Sequence, residues 1–181
     1  MFLGESKLDY FFNFILLALI YFLYFYRKWN TELKRSLIVK TLMYIYLVMV
    51  LFVTLMPFTI SFEGTNNSFM ETANFIPFRD LRLHYEGASR EILLNILMMI
   101  PFGFLYPIIK KKGVIETVSA TLLFSLIIEC FQLLRVWWDS VEIRIFDVTD
   151  LITNTIGGLI GYLIFAVLDE LFKKVKKTHK T

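Results

Sequence analysis

The chain has 181 residues, of which 57% are hydrophobic and 17% aromatic, and carries a net charge of +3. Its mean hydropathy of +0.62 is too high for an ordinary soluble domain, so a membrane is the solvent this composition suits. The lone cysteine, Cys130, excludes an internal disulfide.

Crossing a hydrocarbon core of about 30 Å takes roughly 20 helical residues. Apolar segments of that order occupy residues 8–26, 37–58, 91–109, 117–134 and 148–168. The expected architecture is therefore an all-α integral membrane protein, a bundle of about five transmembrane helices. It divides into an anchor helix with a basic cytoplasmic loop (1–36), a membrane domain (37–168) and a basic cytoplasmic tail (169–181).

The first segment has no basic start and no small-residue cleavage site, and it is long enough to span, so it reads as a retained anchor. Arg27, Lys28, Lys34 and Arg35 follow it; Lys110, Lys111 and Lys112 follow the third segment; Lys173, Lys174, Lys176, Lys177 and Lys180 follow the fifth. If five helices alternate, all these cations fall on one side. The positive-inside rule then predicts an external N-terminus and a cytoplasmic C-terminus. The same lysines read as topology signals and contacts with anionic lipid, not as a nucleic-acid surface.

The second segment ends in "MPF", and residues 59–90 form a long external loop containing "NFIPF" (74–78), then Arg79, Asp80, Arg82 and His84. That loop is apolar enough to lie on the membrane surface. In the third segment Pro101 removes a backbone donor and Gly103 loosens the same turn, which predicts a kink or break there.

Polar residues then recur where apolar ones are expected. Asn95 lies about one turn inside the third helix, roughly 6 Å from its outer end. Ser125, Glu129 and Gln132 are spaced i, i+4, i+7 along the fourth, and Asp147, Asp150 and Asn154 are spaced i, i+3, i+7 at the start of the fifth. With alternating helices these positions converge in the outer leaflet. Gly157 and Gly161 continue the last stripe as a GxxxG pair that lets a neighbouring helix approach closely.

Each polar residue has a structural reading beside the functional one. Asn95, Gln132 and Asn154 suit interhelical hydrogen bonding, and Asp147 suits a helix cap. Glu129 is harder to explain by packing. An ionised carboxylate at the centre of a membrane helix costs roughly 2.5–3.5 kcal/mol, so it calls for a partner, for which Arg135, Arg144 or a bound cation are candidates. Glu129 is accordingly the candidate catalytic residue. Carboxylates and amide oxygens at Glu129, Asp147 and Asp150 would also suit a hard divalent cation. Cys130, next to Glu129, points about 100° away on a helix and reads as packing.

"NFIPF", "NILMMIPFGFLYP", "SLIIECFQL" and "DVTDLITNTIGGLIG" together resemble the VanZ family, in matching order over roughly residues 51–165. The first helix lies outside the resemblance. What the resemblance implies is an integral membrane protein of a bacterial cell membrane, in a family some of whose members lower susceptibility to teicoplanin or related lipoglycopeptides. The positions it carries over are Asn74, Pro77 and Phe78; Asn95, Pro101, Phe102 and Gly103; Ser125, Glu129 and Gln132; and Arg144, Asp147, Asp150, Asn154, Gly157, Gly158 and Gly161.

These readings leave three functions open. One is an outward-facing site that engages a lipoglycopeptide or alters the wall precursors at the surface. Another is an intramembrane enzyme acting on a lipid or lipid-linked wall precursor, with Glu129 as general acid or base. Against it, the chain has no nucleophile-elbow, HExxH or P-loop motif. The third is a transporter or flippase subunit, ranked last because the polar positions stop near the outer half.

Overall fold

The computed structural model describes residues 2–57, 69–139 and 146–178. In chain order these form α1 (Phe2–Ile20), a π-helical stretch (Tyr21–Tyr26), α2 (Arg27–Trp29), α3 (Lys34–Thr54), a short 3-10 turn (Phe69–Thr72), α4 (Arg79–Arg82), α5 (Ala88–Lys110), α6 (Val114–Asp139) and α7 (Val148–Thr178). Among the described residues five helical stretches are long and apolar enough to cross a membrane: Lys7–Trp29, Lys34–Thr54, Ala88–Lys110, Val114–Trp137 and Val148–Thr178. The protein is an all-helical, multi-pass membrane protein. Leucines, isoleucines and phenylalanines stand exposed along these helices, which is the stable arrangement when the surroundings are lipid.

Two element boundaries have identifiable causes. α3 stops at Thr54, short of the expected end at residue 58, because Pro57 lacks an amide hydrogen and disfavours helical geometry at Met56. α5 begins after Gly87, whose φ of 100° is open to glycine at little steric cost. Of the kink or break expected at Pro101 and Gly103, a break is absent: α5 runs as one helix from Ala88 to Lys110 with Pro101 and Pro107 inside it. Membrane helices tolerate such prolines where neighbouring groups take up the freed carbonyls.

The chain forms two compact units, interleaved in sequence: Met1–Phe75 with Leu126–Asp147, and Ile76–Ser125 with Val148–Thr181. In the first unit α1 runs antiparallel to α3. Tyr10 meets Phe52 edge-on at 5.6 Å, Tyr21 meets Tyr44 at 5.1 Å, and the Tyr44 hydroxyl donates to the Leu17 carbonyl at 2.6 Å. Aromatic pairs of this kind add about 0.5–1.5 kcal/mol each beyond the area they bury.

In the second unit α5 and α7 run parallel, with the first half of α6 antiparallel to both. Glycine sets the spacing. A Cβ at Gly157 would stand 2.2 Å from the Ile96 carbonyl oxygen, one at Gly161 2.1 Å from that of Ile100, and one at Gly103 2.0 Å from that of Gly158. Backbone therefore rests on backbone between α5 and α7. Gly158 turns towards α6, where a Cβ would meet the Thr121 side chain at 2.3 Å. Such contacts replace the hydrophobic driving force that lipid removes.

Candidate functional site

In the first unit, the polar side chains of α6 serve backbone groups that helix ends and loops leave unpaired. The last carbonyls of a helix have no intrahelical donor. At the end of α3, Gln132 donates from Nε2 to the Thr54 carbonyl at 3.3 Å and Arg135 from Nη1 to that of Leu55 at 2.9 Å. From α1, the Tyr10 hydroxyl donates to the Met56 carbonyl at 3.2 Å.

One turn before Gln132, Glu129 retains only 1% of its surface and accepts the Asp147 backbone N–H on Oε2 at 3.0 Å. Asp147 immediately precedes α7 and joins Asn74 in an isolated parallel bridge. The Asn74 N–H donates to the Phe146 carbonyl at 2.8 Å, and its Nδ2 donates to the Asp147 carboxylate at 2.9 Å. Phe75 and Phe146 pack their rings at 5.4 Å alongside. A buried acid, the residue before α7 and the loop asparagine thus form one connected knot. Each such hydrogen bond contributes about 1 kcal/mol.

The second unit holds the rest of the loop and the deeper part of α7. The Phe78 N–H donates to the Thr149 hydroxyl at 3.0 Å, and Arg82 donates from Nη2 to the Pro77 carbonyl at 2.7 Å. Phe78 itself sits at φ 55°, a left-handed conformation that costs a non-glycine residue about 1–2 kcal/mol. Further along α7, Asn154 is 1% exposed and donates from Nδ2 to the Ser125 hydroxyl at 2.8 Å. Thr117 and Thr121, both fully buried, extend the Ser125 stripe back along α6. Each donates its hydroxyl to the carbonyl four residues earlier, which closes it to other partners as a donor.

The sequence-predicted residues are therefore distributed over both units. Asn74, Glu129, Gln132 and Asp147 belong to the first unit; Pro77, Phe78, Asn95, Ser125, Asp150, Asn154, Gly157, Gly158 and Gly161 belong to the second. Asn95 is half-buried on α5, and Asp150 is half-buried in the first turn of α7. Arg144 lies outside the described residues. Cys130 is exposed on α6, so it faces outward and does not pack within the protein. Among the described residues no three His, Cys, Asp or Glu side chains gather as a metal-binding group.

Sequence reasoning missed Thr149, Thr121 and Thr117. Thr149 lies inside the "DVTD" motif and receives a loop amide from Phe78. Thr117 and Thr121 repeat the four-residue spacing of Ser125 and Glu129, a signal available in the sequence had the stripe been followed backwards.

Among known proteins, the family model described as VanZ/LLP1 matches residues 41–169. The chain is 27% identical over 136 residues to Protein VanZ of Enterococcus faecium, an alignment covering 75% of this chain and 78% of that protein. No solved structure matches it.

Proposed function

The chain belongs to the VanZ/LLP1 family, and on that premise we propose that it lowers susceptibility to teicoplanin and related lipoglycopeptides at the outer face of a bacterial cell membrane. The positive-inside rule applied to five passes favours a cytoplasmic C-terminus and an external N-terminus, because the basic clusters follow the first, third and fifth spans. The end of α6, the start of α7 and the "NFIPF" loop then face outward.

The observation that carries this reading is the Asn74–Asp147–Glu129 knot. It joins three of the family-resembling motifs through side chains that lie far apart in sequence. A carboxylate this buried is costly to keep in a membrane protein, which supports a role beyond filling space. A lipid-tailed glycopeptide, or the lipid-linked wall precursor it recognises, presents amide and hydroxyl donors at the depth of the outer headgroups, where the half-buried Asp147 carboxylate can accept while the buried Glu129 holds the Asp147 backbone. No metal is assigned to the site.

Expression of the intact chain in a sensitive host, with membrane abundance verified, is expected to raise the inhibitory concentration of teicoplanin more than that of vancomycin, which lacks the lipid tail. Unchanged teicoplanin susceptibility in cells carrying the protein in their membrane would overturn the reading.

A further inference from the structure

The turn between α2 and α3 concentrates positive charge without matching it. Residues 27–40 hold Arg27, Lys28, Lys34, Arg35 and Lys40 against a single carboxylate, Glu32. That carboxylate is already engaged. Lys40 contacts both of its oxygens, the second at 2.6 Å, and the Ser36 hydroxyl donates to it at 2.5 Å. Lys40, with Ser36, holds the Glu32 carboxyl below the ordinary carboxylate range, so it stays ionised and committed to those partners.

Arg27, Lys28, Lys34 and Arg35 are all exposed; Glu32 attracts Lys28 through charge, and among the described residues none of the four forms a direct ion pair. The turn that crowds them is tight. The Glu32 N–H donates to the Trp29 carbonyl at 3.0 Å and the Thr31 hydroxyl to that of Lys28 at 3.2 Å.

The rings around the turn fix its depth. Trp29 packs against Phe25 at 4.9 Å, and Phe25 against Tyr44 at 5.2 Å. Lys28 lies over the Tyr24 ring at 5.6 Å and Lys40 over Trp29 at 5.9 Å. Tryptophan and tyrosine collect where acyl chains give way to headgroups. In a bilayer that belt sets the four exposed cations at the level of lipid phosphates, and arginine and lysine both suit that group, arginine through a bidentate fork. All four precede residue 41, where the family match begins.

We propose that the α2–α3 turn is a binding site for the headgroup phosphate of an anionic phospholipid, held by Arg27, Lys28, Lys34 and Arg35 beside the Trp29 ring. The site is independent of the drug-related reading above.

The test uses the full chain with Trp137→Phe and Trp138→Phe, leaving Trp29 as the reporter, in phosphatidylcholine vesicles containing a fixed fraction of brominated lipid. Brominated phosphatidylglycerol is expected to quench Trp29 more strongly than brominated phosphatidylcholine. The preference should fall by about fivefold for each contacting cation removed among Arg27→Gln, Lys28→Gln, Lys34→Gln and Arg35→Gln. Equal quenching by the two lipids in the protein with all four cations would overturn the proposal. So would loss of the preference on adding millimolar inorganic phosphate at constant ionic strength, because the site would then take free phosphate in place of lipid. Should the quadruple variant fail to fold, the lipid comparison on the protein with its cations intact decides alone.

Discussion

Glu129 illustrates how far a residue type can be read before its partner is known. Its burial was legible, since a carboxylate amid leucines, isoleucines and phenylalanines must face inward. The candidate partners read from the sequence were cations, yet one partner is a backbone amide, that of Asp147, 18 positions away. Nothing in helical periodicity encodes that pairing. The same holds for Asn74 and Asp147, separated by 73 positions and recognisable only as members of separate motifs. If their bond is a true coupling, Asn74→Ala and Asp147→Ala combined should destabilise the protein less than the sum of the single changes, by about 1 kcal/mol or more. Unfolding in detergent measures this, and strict additivity would remove the bond from the account.

At the scale of helices the sequence was more informative, because the bilayer demands long apolar stretches and little else resembles them. All five spans appear near their expected places, and α3 ends early for a reason visible in "MPF". Gly103 was less legible. It reads as a loosened turn beside Pro101, whereas it forms a contact surface against the α7 backbone. This assigns different costs to two glycine substitutions. Gly103→Ala drives a methyl into the Gly158 carbonyl, which cannot swing aside, and should destabilise by about 1–3 kcal/mol. Gly113→Ala would meet only the tip of the Glu116 side chain, at 3.2 Å, and should stay within about 0.5 kcal/mol of the parent. Thermal unfolding of both variants in one detergent checks the contrast, which fails if the two melt alike.

As a whole the molecule is a multi-pass helical membrane protein of the VanZ/LLP1 family, and its action on lipoglycopeptides is tested in a cell. The interleaving of the two units was not legible, since it depends on which helices meet and not on what each is made of. The motifs that carried the resemblance nonetheless contain the residues that tie loop to helix. The central claim is that the buried carboxyl group of Glu129 takes part in protection. The most direct measurement compares teicoplanin susceptibility of a sensitive host expressing the intact protein or Glu129→Gln at equal membrane abundance. Glutamine keeps the shape and can still accept the Asp147 N–H on its one oxygen, while the other carboxyl oxygen becomes an amide donor, so the carboxyl chemistry is removed with little change of volume. Protection by the intact protein and its loss in the variant is the predicted result; equal protection by both would contradict the claim.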